Sequence, residues 1–169
     1  MELIPDDGKY AMWKMKKYSE ISRGTFVFKD DIIVAKITPS FENGKQALLT
    51  NLPTNFGYAT TEVLAFYPKG EEIIKEYIFE YLRLPKIRND LASKMEGTTG
   101  RKRLPRNALE NLKILLPPLE EQKQIAHILS VVDKKIEVEK RRKQVLKELF
   151  KTMLHKLMSR EIRLKEVEV

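Results

Sequence analysis

Two periodicities divide the chain. Up to residue 117 short apolar runs alternate with turn formers. From Pro118 the apolar positions settle into one helical repeat that no glycine or proline interrupts through Ser159. In the first part, DIIVAKI (Asp31–Ile37) is rich in β-branched residues and bounded by turn formers, which predicts a buried strand. Asn43-Gly44, inside ENGKQALL, predicts a hairpin turn with positive φ at both central positions. TEVLAFYP (Thr61–Pro68) predicts a second strand, stopped by its proline. The period then changes. Ile74, Ile78 and Leu82 fall four apart, as do Ile73, Tyr77 and Tyr81, which predicts an amphipathic helix with Glu71 and Glu72 in its first turn and an end before Pro85. A short helix through Ile87, Leu91 and Met95 follows, then a loop, EGTTGRKRLP, and a last short strand, LKILL.

The second part is one long helix. Pro118 suits the first turn, where its missing N–H costs nothing, and Glu120 and Glu121 suit the positive end of the dipole. Ile125, Leu129, Val132 and Ile136 are spaced 4, 3, 4, and so are Leu146, Phe150, Met153 and Leu157. Glu139 and Lys143 fill the core positions between the two sets, so the helix carries a coiled-coil seam with a charged centre. The seam is centred on residue 141. An antiparallel pair about that point sets Glu139 against Lys143 of a second copy, whereas a parallel pair opposes Glu139 to itself. Charges in a seam stabilise little but key the register. The expectation is an antiparallel coiled coil about 48 Å long. The alternative is a seam that packs on the chain's own first domain.

Composition narrows the partners. Lys and Arg outnumber Asp and Glu by 32 to 24, for a net charge of +8, a balance that favours a polyanionic partner, nucleic acid above all. The absence of cysteine excludes disulfides and thiolate metal sites. No apolar run reaches the ~18 residues that span a membrane, and MELIPDDGKY lacks a signal-peptide apolar region. The expected location is cytoplasmic, with no membrane partner.

Chemistry-bearing residues gather in three places. Gly97-Thr98-Thr99-Gly100-Arg101-Lys102-Arg103 joins glycines that admit close backbone approach, hydroxyls that can bond phosphate, and three consecutive cations. A solvated basic loop would have the same composition. Lys36, Thr38, Ser40, Asn43 and Lys45 surround the expected hairpin, which could equally be plain scaffold. A third stretch, WKMKKYSEISRG, interleaves Trp13, Lys14, Lys16, Lys17, Tyr18 and Arg23 in a basic and aromatic mixture suited to phosphate or to open solvent. Enzyme signals are weak. His127 and His155 lie too far apart on the helix to share a site, no Walker A spacing occurs, and no glycine-rich strand–loop–helix unit is present. The chain is expected to bind and organise, without catalysis and without a cofactor of its own.

These residues carry a family resemblance. LPPLEEQKQIAHILSVVDKKIEVEKRRKQVLKELFKTMLHKLMSREIRL resembles the conserved helical region of type I restriction–modification specificity subunits, with its proline pair and LEEQ. DIIVAKITPSFENGK, GYATTEVLAFYP and GTTGRKRLP resemble one variety of that family's target recognition domain. The resemblance implies an α+β chain: a mixed recognition domain over 1–117, N-terminally shortened, a coiled-coil helix over 118–160 and a tail over 161–169. It implies a subunit that reads one half of a bipartite double-stranded DNA site and docks methyltransferase subunits, with restriction subunits as further partners. S-adenosylmethionine and ATP chemistry would belong to those partners. With one recognition domain and one helical region, the chain resembles a half-subunit that pairs with a second copy or with another specificity subunit. DNA contacts are then expected from Lys36, Thr38, Asn43, Lys45, Thr98, Thr99, Arg101, Lys102 and Arg103. Dimer contacts are expected from Ile125, Leu129, Val132, Ile136, Glu139, Lys143, Leu146, Phe150, Met153 and Leu157. The competing expectation is a protein-interaction module that regulates a specificity subunit without binding DNA on its own.

Overall fold

The computed structural model describes residues 1–5, 9–98 and 100–163. The chain is mixed α+β and divides into two compact units, residues 1–129 and 130–169. At the centre of the first lies a three-stranded antiparallel sheet in the order β3-β2-β5, made of β2 (Ile32–Ala35), β3 (Gln46–Leu48) and β5 (Val63–Phe66). A separate two-stranded ribbon pairs β1 (Thr25–Phe28) with β4 (Phe56–Ala59).

The unbroken apolar run of β2 is explained by burial on both faces of the sheet. Ile32 and Val34 point to one side with Leu48 and Leu64, where they meet Tyr77, Ile78, Phe79 and Leu82 of the helical layer, Leu91 and Leu104. Ile33 points to the other side with Ala47 and Val63, against Val27 of β1 and Ile4 and Ala11 of the N-terminal segment. That segment is tied down as well. Tyr10 forms a parallel bridge to Leu48, and Lys9 pairs with the buried Glu80 at 3.6 Å.

Helices α1 (Lys75–Tyr81), α2 (Pro85–Ser93) and α3 (Arg106–Glu110) follow the sheet, and α4 (Leu119–Met158) ends the fold. Pro118 stands just ahead of α4, and its carbonyl accepts the N–H of Gln122 at 3.1 Å.

Three local expectations change. Asn43-Gly44 is not a two-residue hairpin turn. Residues 37–45 form a helical turn closed by paired bonds, Gly44 N–H to Phe41 O at 2.9 Å and Lys45 N–H to Ser40 O at 3.0 Å. This is the helix-ending arrangement that needs positive φ at one residue only, and Gly44 supplies it with φ 85°. Glu71 and Glu72 lie outside α1, which starts after Ile74. The side chain of Gln122 engages the backbone of residues 72 and 74 and so takes those groups out of the helix ladder. LKILL is not a strand. Leu112 and Ile114 turn toward the core in extended alternation, but no strand runs beside them among the described residues. Period-two burial marks an extended chain; pairing needs a neighbour as well.

Candidate nucleic-acid interface

Sheet topology brings the two candidate loops to one place. β2 ends at Ala35, and its partner β5 begins at Val63 directly opposite. The 36–45 connection and the 60–62 turn therefore leave the sheet at the same end. The basic loop joins them there. Lys36 N–H donates to Glu62 O at 2.9 Å, Thr38 N–H to Lys102 O at 3.1 Å, and Leu104 N–H to Lys36 O at 2.7 Å. Arg103 bridges Ile37 on one side and Glu96 on the other, so the basic loop is a small hairpin laid beside the start of the first loop. Its bend depends on Gly97, φ 125°, where an added Cβ would stand 2.7 Å from Arg101 O.

The sequence candidates fare differently within this surface. Arg101 and Lys102 are exposed, and among the described residues neither is ion-paired. Arg103 is exposed but reaches Glu62 at 3.2 Å. Thr98 and Asn43 are exposed, and Lys36 and Thr38 are half-buried. Thr38 donates its hydroxyl to Glu42 at 3.0 Å. Lys45 turns inward and donates to Ile4 O at 3.3 Å. Thr99 lies outside the described residues.

The turn between β1 and β2 is built on two aspartates. Asp31 is buried and accepts the Phe28 N–H at 2.8 Å. Burial raises its carboxyl above the usual range, the Phe28 bond pulls it back, and Asp30 adds to the rise. Asp30 holds positive φ and pairs with Lys75. On the outer face of the ribbon Phe26, Phe28, Phe56 and Tyr58 form an exposed aromatic group, with ring centroids 5.0–5.5 Å from Phe26.

Along α4 the dimer candidates separate into two kinds. Ile125 is half-buried against the first unit's core. Leu129, Val132, Ile136, Leu146 and Phe150 are exposed, while Met153 and Leu157 are half-exposed. Every residue from 134 to 152 is exposed, Glu139 and Lys143 included. Arg142 approaches Glu139 at 4.0 Å. Beside this row runs another, offset by one residue: Ile128, Val131, Val138, Val145 and Leu149, all exposed.

The residue that sequence reading missed is Gln122, 1% exposed. Its amide nitrogen donates to Glu72 O at 2.9 Å and Pro117 O at 2.8 Å. Its amide oxygen accepts the Ile74 N–H at 3.1 Å. A signal existed: Gln122 sits three residues before Ile125, in step with the seam, so a polar side chain occupies an apolar register.

Two strands of comparison agree with this architecture. Residues 2–148 match the type I restriction modification DNA specificity domain, and the chain belongs to that family. The chain is 37% identical over 120 residues to the type I restriction enzyme EcoAI specificity subunit of Escherichia coli, covering 70% of this chain and 20% of that protein. It is also 37% identical over 118 residues to the EcoEI specificity subunit of the same species, 69% of this chain and 20% of that one. The MjaVIII specificity subunit of Methanocaldococcus jannaschii is 31% identical over 102 residues, 60% of this chain and 24% of that protein. The chain thus spans about a fifth to a quarter of the length of these relatives. A solved structure concerned with complex assembly and conformational transition of the type I R-M system shares the fold, with TM-score 0.56 and 18% identity, over 80% of this chain and 32% of its own. Among the described residues no helix is long and apolar enough to cross a membrane, and no group of His, Cys, Asp and Glu is placed to hold a metal.

Proposed function

We propose that the chain is a non-catalytic DNA-reading and scaffold subunit of a type I restriction–modification complex. The observation that supports this reading best is the joined surface at one end of the sheet, where Arg101, Lys102 and Arg103 stand beside Lys36 and Thr38 on backbones bonded to each other. Cations on a braced backbone suit phosphate contact, and arginine forks suit guanine edges. The proposed contacts are Lys36, Thr38, Asn43, Thr98, Thr99, Arg101, Lys102 and Arg103, with Lys45 bracing the loop from beneath. This surface reads one half of a bipartite site.

Residues 118–160 serve as the spacer and dock. Self-pairing through Leu129, Val132, Ile136, Leu146, Phe150, Met153 and Leu157, antiparallel and keyed by Glu139 and Lys143, presents two reading surfaces. The family's methyltransferase and restriction subunits are the further partners, and cofactor chemistry belongs to them.

The test is duplex binding by the purified chain across a salt series, with Arg101→Ala and Arg103→Ala combined. Each phosphate contact removed makes the plot of log affinity against log salt shallower by about 0.9. Unchanged affinity and slope in that variant take the basic loop out of the interface. A second reading, a pairing module without DNA binding of its own, draws support from the exposed apolar rows on α4 and the ribbon's aromatic group. It holds if the chain self-associates yet binds no duplex.

A further inference from the structure

The 36–45 loop is held from below by a residue that neither its position nor its charge singled out. Arg88, on α2, extends beneath the loop. Its Nη2 donates to Gln46 Oε1 at 3.1 Å and to Leu82 O at 3.2 Å. Gln46 is buried and passes the connection on, donating from Nε2 to Phe79 O at 2.8 Å. The other guanidinium arm fills the space over Gly44: a Cβ there would stand 1.8 Å from Arg88 Nη1. Gly44 is thus required twice, for its φ of 85° and for the room it leaves.

The arrangement is costly for a cation. Burial disfavours the charged guanidinium and nearby Arg83 adds to the effect. The partners that hold Nη2 are a neutral amide and a backbone carbonyl. What they gain is geometry: Nη2 bonds both acceptors while the second arm, Nη1, fills the space at Gly44, a reach that an ammonium with its single nitrogen lacks. The same helix, α2, leads directly into the basic loop at Glu96–Arg103. One rigid element therefore braces the first loop and launches the second.

We infer that Arg88 is a positioning residue that fixes the 36–45 loop and keeps it in register with the 96–103 loop, without touching DNA itself. The inference builds on the DNA-reading function proposed above, and its test has an arm that does not. Amide hydrogen exchange in Arg88→Ala and Arg88→Lys is compared with the unaltered chain. The expected result is exchange at least tenfold faster at Phe41, Asn43, Gly44 and Lys45 in both variants, with the β2 and β5 amides unchanged. Loop protection that survives in either variant overturns the inference, since the lysine keeps the charge and loses only the fork. The second arm selects duplexes from a randomised pool with the unaltered chain and measures discrimination between a selected and a scrambled duplex. The variants are expected to lose tenfold or more of that discrimination at an unchanged salt slope. A slope shallower by about 0.9 means that Arg88 contacts a phosphate directly, which also overturns it. If the unaltered chain binds no duplex, the DNA-reading proposal fails, and the exchange arm still decides the role of Arg88.

Discussion

Glu62 and Arg103 meet at the centre of the proposed interface, Oε1 to Nη2 at 3.2 Å. The other carboxylate oxygen of Glu62 is buried and has no hydrogen-bond partner. The pair couples the turn before β5 to the basic loop and holds one of the three consecutive cations in check. Half-exposed pairs of this kind contribute little to stability. Their larger effect here is on charge. Glu62→Gln is expected to leave folding nearly unchanged, to raise affinity for duplex DNA a few-fold on the order of a partial phosphate contact, and to steepen the salt dependence by up to about 0.9. Fluorescence anisotropy across a salt series measures both. Weaker binding in this variant would mean that Glu62 orients Arg103 for its contact and does not restrain it.

Gln122 connects the start of α4 to the entrance of α1, with all three of its bonds made to backbone atoms. Gln122→Ala would strand the Ile74 N–H and two carbonyls and open a cavity at a site 1% exposed. The expected loss is about 2–3 kcal/mol, read as a lower urea midpoint. Gln122→Glu should do no better, because a carboxylate can accept from Ile74 but cannot donate to Glu72 and Pro117. Full stability in either variant would show that these backbone groups find other partners.

The elements legible in the sequence were those whose signal is local. β2 and β5 announced themselves by β-branched runs between turn formers, and α4 by its uninterrupted repeat. β1 and β4 were not foreseen. Each is four residues long, and they pair across an intervening hairpin, Thr25 with Ala59 and Phe28 with Phe56, with no turn signal to link them. Their exposed aromatic face also hides the alternation expected of a half-buried strand. The two candidate loops were visible as compositions. Their junction through Lys36, Thr38, Lys102 and Leu104 was not, because it depends on sheet register and on where α2 delivers the chain. Arg88 carries no local signal in the sequence; its bonds to Gln46 and Leu82 and the space at Gly44 give it a place.

Asp31 makes stability depend on pH in a direction opposite to a salt-bridged carboxylate. Its folded pKa is raised, chiefly by burial, so the fold binds the proton more tightly than the unfolded chain does. The stabilising contribution is fully present below the unfolded value, about 3.9, and is lost as pH rises through the raised folded value. Asp31→Asn removes this dependence while leaving a carbonyl oxygen to accept the Phe28 N–H. The stability of the unaltered chain relative to Asp31→Asn is therefore expected to improve as pH falls from neutral toward 4, measured by paired urea titrations. A difference that stays flat over that range would place the charged carboxylate in an environment as favourable as water.

The charged centre of α4 offers a direct test of pairing direction. Glu139 and Lys143 are both exposed, in step with the apolar rows on either side. In an antiparallel pair centred on residue 141 each Glu139 faces a Lys143, so Glu139→Lys places two cations together at both crossings, and Lys143→Glu places two carboxylates together. Either single change should weaken self-association severalfold, and the double exchange should restore it, because the opposed charges are merely swapped. A parallel pair behaves differently. There each residue faces its own copy, so the single changes and the double exchange all keep like charges opposed, and none of them alters self-association by much. Arg142 lies 4.0 Å from Glu139 on the same helix and competes for it. Such an exposed pair is weak, and Arg142→Ala should leave association unchanged or slightly tighter. Sedimentation equilibrium on the five chains decides the matter. Singles that associate as well as the unaltered chain would exclude the antiparallel pairing of Glu139 with Lys143.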